Sequence, residues 1–413
     1  MNSKIAITGL GVISPIGTGK QDFWTGLRKG RTGFREISLF DTSPFAVKIA
    51  GEITGFDPSL FLGKKGLREL DRSTRLICSA AKLALDDAGF VITDENSDRV
   101  GVSLGATFGS LHSISQFDRV GLIEGPRYVN PSHFPNTVIN SPASQISIRF
   151  GIKGFNTTIS TGSCAGIDSL IYACDFLRLK RADAVLVGGV EELCEETLRG
   201  FYLLGCLSGS DGSEPVCCPF DARRNGVTLS EGASVLVLED LDTARNRGAQ
   251  ILAVVLGYGS AFDVSAGKAA TCKGDGLHNA VTIALADAKI SPDAVDYISS
   301  CANSTQDADR IETKVIKEIF DKAACSIPVS SIKSMIGESF SASGSMSLAS
   351  AVGVIRDGII PPTVNYQEKD PQCDLEYVPN EAREKQVERV LVTASDPYGQ
   401  NAAVILGRYS EEM

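Results

Sequence analysis

The sequence predicts an α/β protein made of layers of helices and buried strands, and three observations support this prediction. The 413 residues are 43% hydrophobic and 22% charged, as in ordinary globular proteins, and this length provides a large core in two halves. Short runs rich in β-branched residues are apolar throughout, which is typical of strands buried on both faces. Helical patterns separate these runs along the chain.

The predicted elements alternate in order along the chain. Seven runs are interpreted as buried strands, and they begin at Ile5, Val100, Ala184, Ser234, Ile251, Val390 and Ala403. Three apolar patterns predict helices over Ser73 to Gly89, Asn279 to Asp287 and Ile311 to Phe320. The first of these helices ends in a glycine, the residue that most often terminates a helix.

Two Gly/Ser-rich turns, each beside an apolar helix, indicate that the chain is duplicated. One turn spans Ser160 to Gly166 and the other spans Gly337 to Ser345. Because the two halves repeat the same order of elements, we predict one half over residues 1–255 and the other over residues 256–413. The first half carries the sharper turn.

Composition excludes several classes of function. A net charge of −10 argues against nucleic acid or an anionic membrane as the main partner. The N-terminus lacks the pattern of a signal peptide, and no apolar run is long enough to span a membrane. Eleven cysteines without CxxC or zinc spacing predict reduced thiols in a cytoplasmic protein and no metal site. Histidine chemistry is restricted to His112, His133 and His278.

The turn within Thr157 to Ala173 is interpreted as a strand, a tight glycine turn and a helix. Ser163 and Cys164 would lie at this elbow, where the helix N-terminus favours negative charge and free N–H groups can hold an oxyanion. An ordinary tight turn packed with small residues is the alternative interpretation. Apolar positions recur behind the turn at helical spacing and predict an internal helix, and they are Ile167, Leu170, Ile171, Cys174 and Leu177.

Five motifs in order identify a family. They span Ile7–Gly17, Lys64–Arg72, Cys218–Ala233, Ser331–Gly337 and Asp357–Asn365. On these motifs the chain resembles, from about residue 4 to 408, the elongating β-ketoacyl-[acyl carrier protein] synthases. The resemblance implies a thiolase fold with a duplicated, layered αβαβα core, and a homodimer or a heterodimer with a ketosynthase homologue. It implies no bound cofactor, because the acyl carrier protein delivers the phosphopantetheine group.

The resemblance also shows that the catalytic Cys-His-His set of the family is changed at every position. With the flanking residues aligned on both sides, the Cys position is Ser163, and Cys164 is one residue late. Returning Cys164 to the elbow needs an insertion and a compensating deletion. The two His positions are Cys301 and Glu338, whereas the Lys of the second His motif is retained as Lys333.

These substitutions lead to two main hypotheses. In the family, neutral His side chains donate to the thioester oxygen, and losing one such donor commonly costs about 10²–10³ in rate. An ionised Glu338 only accepts hydrogen bonds and would repel malonate, unless Lys333 neutralises it or burial keeps it protonated. The chain is therefore expected to be a non-condensing, chain-length-factor-like partner of a competent ketosynthase. The alternative is a divergent acyltransferase or condensing enzyme that uses Ser163 or Cys164 with Cys301 and Glu338, and an acyl-binding or scaffold protein of another pathway is a third possibility.

Carrier-protein docking is expected at basic positions that the family resemblance marks. Lys65 and Arg68 stand at these positions, but the adjacent basic position is Glu69, which weakens the patch. The same residues also fit a solvated helix face.

Two further segments surround the expected site. Asn303 and Thr305 stand where the family lines its phosphopantetheine tunnel, although the first Thr of that motif is missing. The Gly/Phe-rich gate near the C-terminus of the family is replaced by the segment Ser395–Asn401. Phe108 and His112 are expected to border the acyl pocket or the dimer seam.

Overall fold

The computed structural model describes residues 4–266 and 273–411. The strands of this part of the chain are β1 Ile5–Ser14, β2 Gly17–Thr18, β3 Phe34–Glu36, β4 Ile49–Gly51, β5 Val100–Gly105, β6 Asn156–Ile159, β7 Ala184–Glu191, β8 Gly232–Asp240, β9 Ala253–Phe262, β10 Tyr297–Ser299, β11 Val329–Ser330, β12 Ile359–Ile360, β13 Arg383–Glu384, β14 Arg389–Ser395 and β15 Gln400–Gly407. The α-helices are α1 Lys20–Arg28, α2 Ser59–Leu62, α3 Arg72–Ala88, α4 Leu111–Ile123, α5 Ser141–Phe150, α6 Ala165–Arg178, α7 Glu195–Leu203, α8 Leu241–Asn246, α9 Asp275–Ala288, α10 Gln306–Phe320, α11 Lys333–Ile336 and α12 Ser341–Asp357.

One large sheet has a repeated topology. Its strand order is β11-β10-β14-β15-β9-β1-β8-β7-β5-β6, and β2 pairs with β1. From β1 outwards, two antiparallel pairings are followed by two parallel pairings, and the same sequence of pairings runs from β9 to β11. The two halves join where Ile5–Ile7 pair with Ala253–Val255. The sheet therefore contains the same five-strand arrangement twice.

Helices cover both half-sheets and fill the space between them. The central hydrophobic cluster joins α6 and α12 to both half-sheets, while α3 and α5 pack on the outer face of one half and α9 and α10 on the outer face of the other. The result is five layers in the order αβαβα, which confirms the predicted layered core.

The strand and helix predictions agree with the observed elements at their centres. The seven predicted strands correspond to β1, β5, β7, β8, β9, β14 and β15. Helix α3 ends as predicted, with Gly89 at φ 55° in the left-handed region. The predicted division at residues 255 and 256 lies within β9, and the duplication into two independent domains stays a prediction. Within the described residues, no helix is both long and apolar enough to cross a membrane.

The crossing of α6 and α12 positions the elbow. Helix α6 has nine buried residues and α12 has fifteen, and small side chains at their contact let the two backbones come close. A Cβ atom on Gly166 would clash with the backbone oxygen of Ser341. This close contact brings the turn before α6 next to the segment that precedes α12.

Candidate active site

The elbow has the predicted strand, turn and helix. A 3₁₀ turn over Gly162–Cys164 connects β6 to α6, with Gly162 at φ 61°. Ser163 is 6% exposed and Cys164 is fully buried. The side chain of Cys164 lies in the central hydrophobic cluster, and its thiol donates to the carbonyl oxygen of Gln400 at 3.2 Å.

The thiol of Cys164 is held in its neutral form. Burial, followed by the charges of Asp168 and Asp396, raises its pKa well above the ordinary value. A thiolate is the nucleophilic form of cysteine, so this thiol is poorly suited to attack a thioester.

Ser163 has an accessible hydroxyl but no activating base. Within the described residues Ser163 Oγ makes no hydrogen bond, whereas its backbone N–H donates to Asp396 Oδ2 at 3.0 Å. Serine needs an adjacent general base to act as a nucleophile. The described structure supplies none at this position.

Glu338 forms a buried ion pair with Lys333. Lys333 Nζ donates to Glu338 Oε2 at 2.7 Å, and both side chains are at most 5% exposed. Burial, the largest single effect, would lower the pKa of Lys333, but the charge and hydrogen bond of Glu338 together with other nearby acidic groups outweigh it, and the pKa is raised. Lys333 therefore neutralises the carboxylate, one of the two conditions that the sequence left open.

Three more donors saturate the Glu338 carboxylate. Oε2 also accepts from Asn303 Nδ2 at 3.1 Å, while Oε1 accepts from Phe340 N at 2.9 Å and Ser343 Oγ at 3.1 Å. With four donors in place, both oxygens of Glu338 are used as acceptors within the protein.

Asn303 and Thr305 lie next to this pair. Thr305 Oγ1 donates to Asn303 Oδ1 at 2.8 Å, and the backbone N–H of Asn303 donates to Asp309 Oδ1 at 3.0 Å. Both residues are half-buried. The Asn303 amide is thus fixed between Thr305 and Glu338, and the role of both residues in a phosphopantetheine tunnel stays a prediction.

Cys301 is fixed by its backbone. Its N–H donates to Thr393 Oγ1 at 3.1 Å and Glu312 Oε1 at 3.2 Å. Burial, followed by the Glu312 charge, raises the pKa of its thiol well above the ordinary value. Cys301 and Lys333 are both near enough to influence the titration of Cys164, so the structure brings these predicted site residues together.

A cluster of three phenylalanines, Phe108, Phe201 and Phe340, adjoins the site. The ring of Phe340 lies 5.0 Å from that of Phe108 and 5.1 Å from that of Phe201, and Phe108 and Phe201 are 6.2 Å apart. Phe340 has a positive φ of 44°, which costs energy for a bulky residue. Phe340 is buried, whereas Phe108 and Phe201 are partly buried and pack against it.

The predicted docking residues are on the surface. Lys65, Arg68 and Glu69 are all exposed. Arg68 and Glu69 also line a groove of about 460 Å³, together with His112 and His133. The equivalence of Cys301 and Glu338 with the two family histidines stays a prediction.

Asp396 was not predicted as a site residue. It belongs to the altered segment between β14 and β15, and it reaches the elbow from the second half of the duplicated chain. The sequence showed that this segment differs from the family gate. It did not show that a carboxylate would contact the backbone of Ser163, because this contact joins residues 233 positions apart.

Comparisons with known proteins agree with this architecture. Residues 2–244 match the family model of the beta-ketoacyl synthase N-terminal domain, and residues 252–367 match that of its C-terminal domain. The chain is 35% identical to a 3-oxoacyl-[acyl-carrier-protein] synthase 2 of Coxiella burnetii, with 98% of each chain covered. It is 34% identical to the enzyme of that name in Staphylococcus aureus, with 99% of each covered.

Solved structures show the same similarity. The ishigamide ketosynthase/chain length factor is 33% identical with a TM-score of 0.91, covering 99% of this chain and 100% of that one. A type II polyketide synthase acyl-carrier protein in complex with its ketosynthase gives 27% identity and a TM-score of 0.90, over 99% and 100% of the two chains. The fold is the thiolase fold that was predicted, and the chain belongs to the β-ketoacyl synthase family.

Proposed function

We propose that this chain is a non-condensing, chain-length-factor-like partner of a competent ketosynthase in fatty-acid or polyketide biosynthesis. The observation that carries the proposal is the saturated Glu338 carboxylate, which holds Lys333 at 2.7 Å in place of a hydrogen-bond donor to a thioester. Decarboxylative condensation needs donors aimed at the developing oxyanion. The proposal also includes a cytoplasmic location.

The exposed sheet edge supports assembly with a second chain. At one edge of the sheet, Val329 and Ser330 of β11 are fully buried by the rest of the chain. At the other edge, Asn156 of β6 is exposed and the rest of this strand is half-buried. An open strand edge offers backbone groups for pairing with another strand.

The elements next to this edge expose apolar side chains. Helix α4 has no buried residue, although it carries Leu122 and Ile123, which are 87% and 72% exposed. Phe134 and Ile148 nearby are 58% and 72% exposed, and α4, α5 and β6 are connected by contacts through the turn at Pro131–Thr137. An apolar surface of this kind indicates a protein interface. We place the ketosynthase homologue here.

Carrier-protein docking at Lys65 and Arg68 belongs to the same proposal. Both side chains are exposed and basic, which suits an acidic carrier protein. The nearby Glu69 would weaken this attraction. Asn303 and Thr305 would then contact the phosphopantetheine group if a carrier enters the site.

The alternative, acyl transfer through Ser163 or Cys164 with Cys301 and Glu338, is not favoured by a contact in the described structure. Cys164 donates to a backbone carbonyl, and Glu338 is paired with Lys333. Neither arrangement activates a nucleophile.

Co-purification with a ketosynthase homologue that retains Cys-His-His tests the proposed function. We expect the tagged chain to co-purify with this homologue in a 1:1 complex. We expect Phe134→Glu to lower the affinity of the complex at least tenfold without unfolding the protein. The matched control is Ile283→Glu, since Ile283 is 46% exposed and lies on α9, which packs on the outer face of the other half-sheet. A fully stable complex with Phe134→Glu would contradict the interface, and failure to bind any such homologue would contradict the proposed function.

A further inference from the structure

The segment after β14 forms a tight turn around Asp396. The turn is closed by two backbone hydrogen bonds, from Asp396 N to Gln400 O at 2.8 Å and from Gly399 N to Asp396 O at 3.0 Å. Asp396 Oδ1 accepts from the backbone N–H of Tyr398 at 2.9 Å. The oxygen Oδ1 therefore stabilises the turn that contains Asp396. This contact also fixes the direction in which the other oxygen, Oδ2, points.

The other oxygen lies against the elbow. Asp396 Oδ2 accepts from the backbone N–H of Ser163 at 3.0 Å, and it occupies the space above Gly162, where a Cβ atom would clash with it. The turn beneath it is held by Thr107 Oγ1, which donates to Gly162 O at 3.0 Å. Two separate segments thus position a carboxylate and an elbow N–H against each other.

An elbow N–H in this state is not available to a substrate. A thioester carbonyl that is attacked at Ser163 develops negative charge, and nearby backbone donors would have to stabilise it. The Ser163 N–H already donates to Asp396 Oδ2, and this oxygen fills the space above Gly162, so a substrate oxygen cannot take the same position.

We propose that Asp396 is an internal hydrogen-bond acceptor that occupies the elbow N–H and blocks oxyanion stabilisation there, independently of the loss of the nucleophile. Restoring a cysteine at position 163 would then not be enough to restore acylation. The inference rests on the proposed function only because a blocked elbow fits a non-condensing partner. Its test uses neither a partner chain nor a carrier protein, so the two can fail separately.

The test compares Ser163→Cys with Ser163→Cys/Asp396→Ala. Each full-length variant is incubated with the acyl thioester of N-acetylcysteamine, and intact mass gives the acylation rate. The introduced thiolate attacks the carbonyl carbon, the new C–S bond forms, and the original C–S bond breaks. N-acetylcysteamine leaves as a thiolate, which takes up the proton that the introduced thiol released.

We expect the Asp396→Ala change to accelerate acylation at least about tenfold, since a single oxyanion donor is commonly worth 10²–10³ in rate. Alkylation of the same variants by iodoacetamide is the control, because it forms no oxyanion and reports only the reactivity of the thiol. Asp396→Asn in place of Asp396→Ala retains an acceptor for Ser163 N and Tyr398 N, and should give a smaller acceleration.

The ratio of the two rates decides the inference. An acylation rate that rises several-fold more than the alkylation rate supports an occupied oxyanion position. Equal increases in both rates, or no increase in acylation in folded protein, overturn it. Circular dichroism checks folding, and if Asp396→Ala unfolds the chain, Asp396→Gly, which also removes the acceptor, is judged by the same ratio.

Discussion

At the scale of single residues, the site is dominated by charges that are paired inside the protein. Lys333 and Glu338 are 4% and 3% exposed, and their contact leaves neither charge alone. Breaking such a buried pair typically costs 3–5 kcal/mol, because one charge is then buried without a partner. The Lys333–Glu338 pair therefore has a structural role in the core.

Removing one member of the pair should destabilise the chain strongly. We expect Lys333→Met to lower the free energy of unfolding by about 3–5 kcal/mol, since it leaves the Glu338 charge buried. Adding Glu338→Gln should recover most of this loss, because the amide carries no charge and still accepts hydrogen bonds. Urea unfolding of the single and double variants measures both effects, and a double variant as unstable as Lys333→Met would contradict the pairing.

Buried Glu192 predicts a pH dependence of stability. Burial, followed by the charge of Asp71, raises its pKa to about 8. Between about pH 5 and pH 8 the folded state keeps a proton that the unfolded chain has released. Stability therefore decreases as the pH rises through this window, by about 1.4 kcal/mol per pH unit for one proton.

The free energy of unfolding should depend less steeply on pH in Glu192→Gln, since an amide does not titrate. In that variant we expect the decrease in the free energy of unfolding to be smaller by about 1.4 kcal/mol per pH unit. Glu95 is exposed, and Glu95→Gln should keep the pH dependence of the unmodified protein. Urea titrations at several pH values measure it. Identical slopes in Glu192→Gln and the unmodified chain would show that Glu192 does not hold the proton.

At the scale of elements, the segment before α12 is the strained part of the site. Phe340 adopts its positive φ of 44° while its ring packs on Phe108 and Phe201. The aromatic contacts and the hydrogen bond from Phe340 N to Glu338 Oε1 at 2.9 Å together hold the backbone in this conformation.

Truncating this ring should cost more than a surface substitution. We expect Phe340→Ala to lower the free energy of unfolding by about 3–5 kcal/mol, the usual range for Phe→Ala in a core. Phe340→Leu, which leaves a smaller cavity, should cost clearly less. Chemical denaturation of the two variants makes the comparison, and a loss below 1 kcal/mol for Phe340→Ala would show that the rings contribute little to packing.

The elements could be predicted better than the contacts between them. Apolar runs identified β1, β5 and β8, because strands buried on both faces need continuous apolar sequence. The short strands β10 and β11 were missed, since two or three residues carry no periodic signal. The pairing of Asp396 with Ser163 depends on how two distant segments meet, and local sequence does not encode that distance.

At the scale of the whole molecule, the duplicated fold is retained while its reactive groups are replaced. Both half-sheets, the α6 and α12 layer and the elbow are intact, and the chain matches its relatives over 98% of its length. In the proposed function, the open β6 edge and the apolar surface around α4 serve assembly with a second chain. The same proposal assigns no acyl chemistry to the elbow.

The most direct measurement of this claim is the intact mass of both chains of the assembled complex after incubation with an acyl-loaded carrier protein. The account predicts one acyl adduct on the cysteine of the competent ketosynthase and no adduct on this chain. A stable acyl adduct on Ser163 or Cys164 would contradict it.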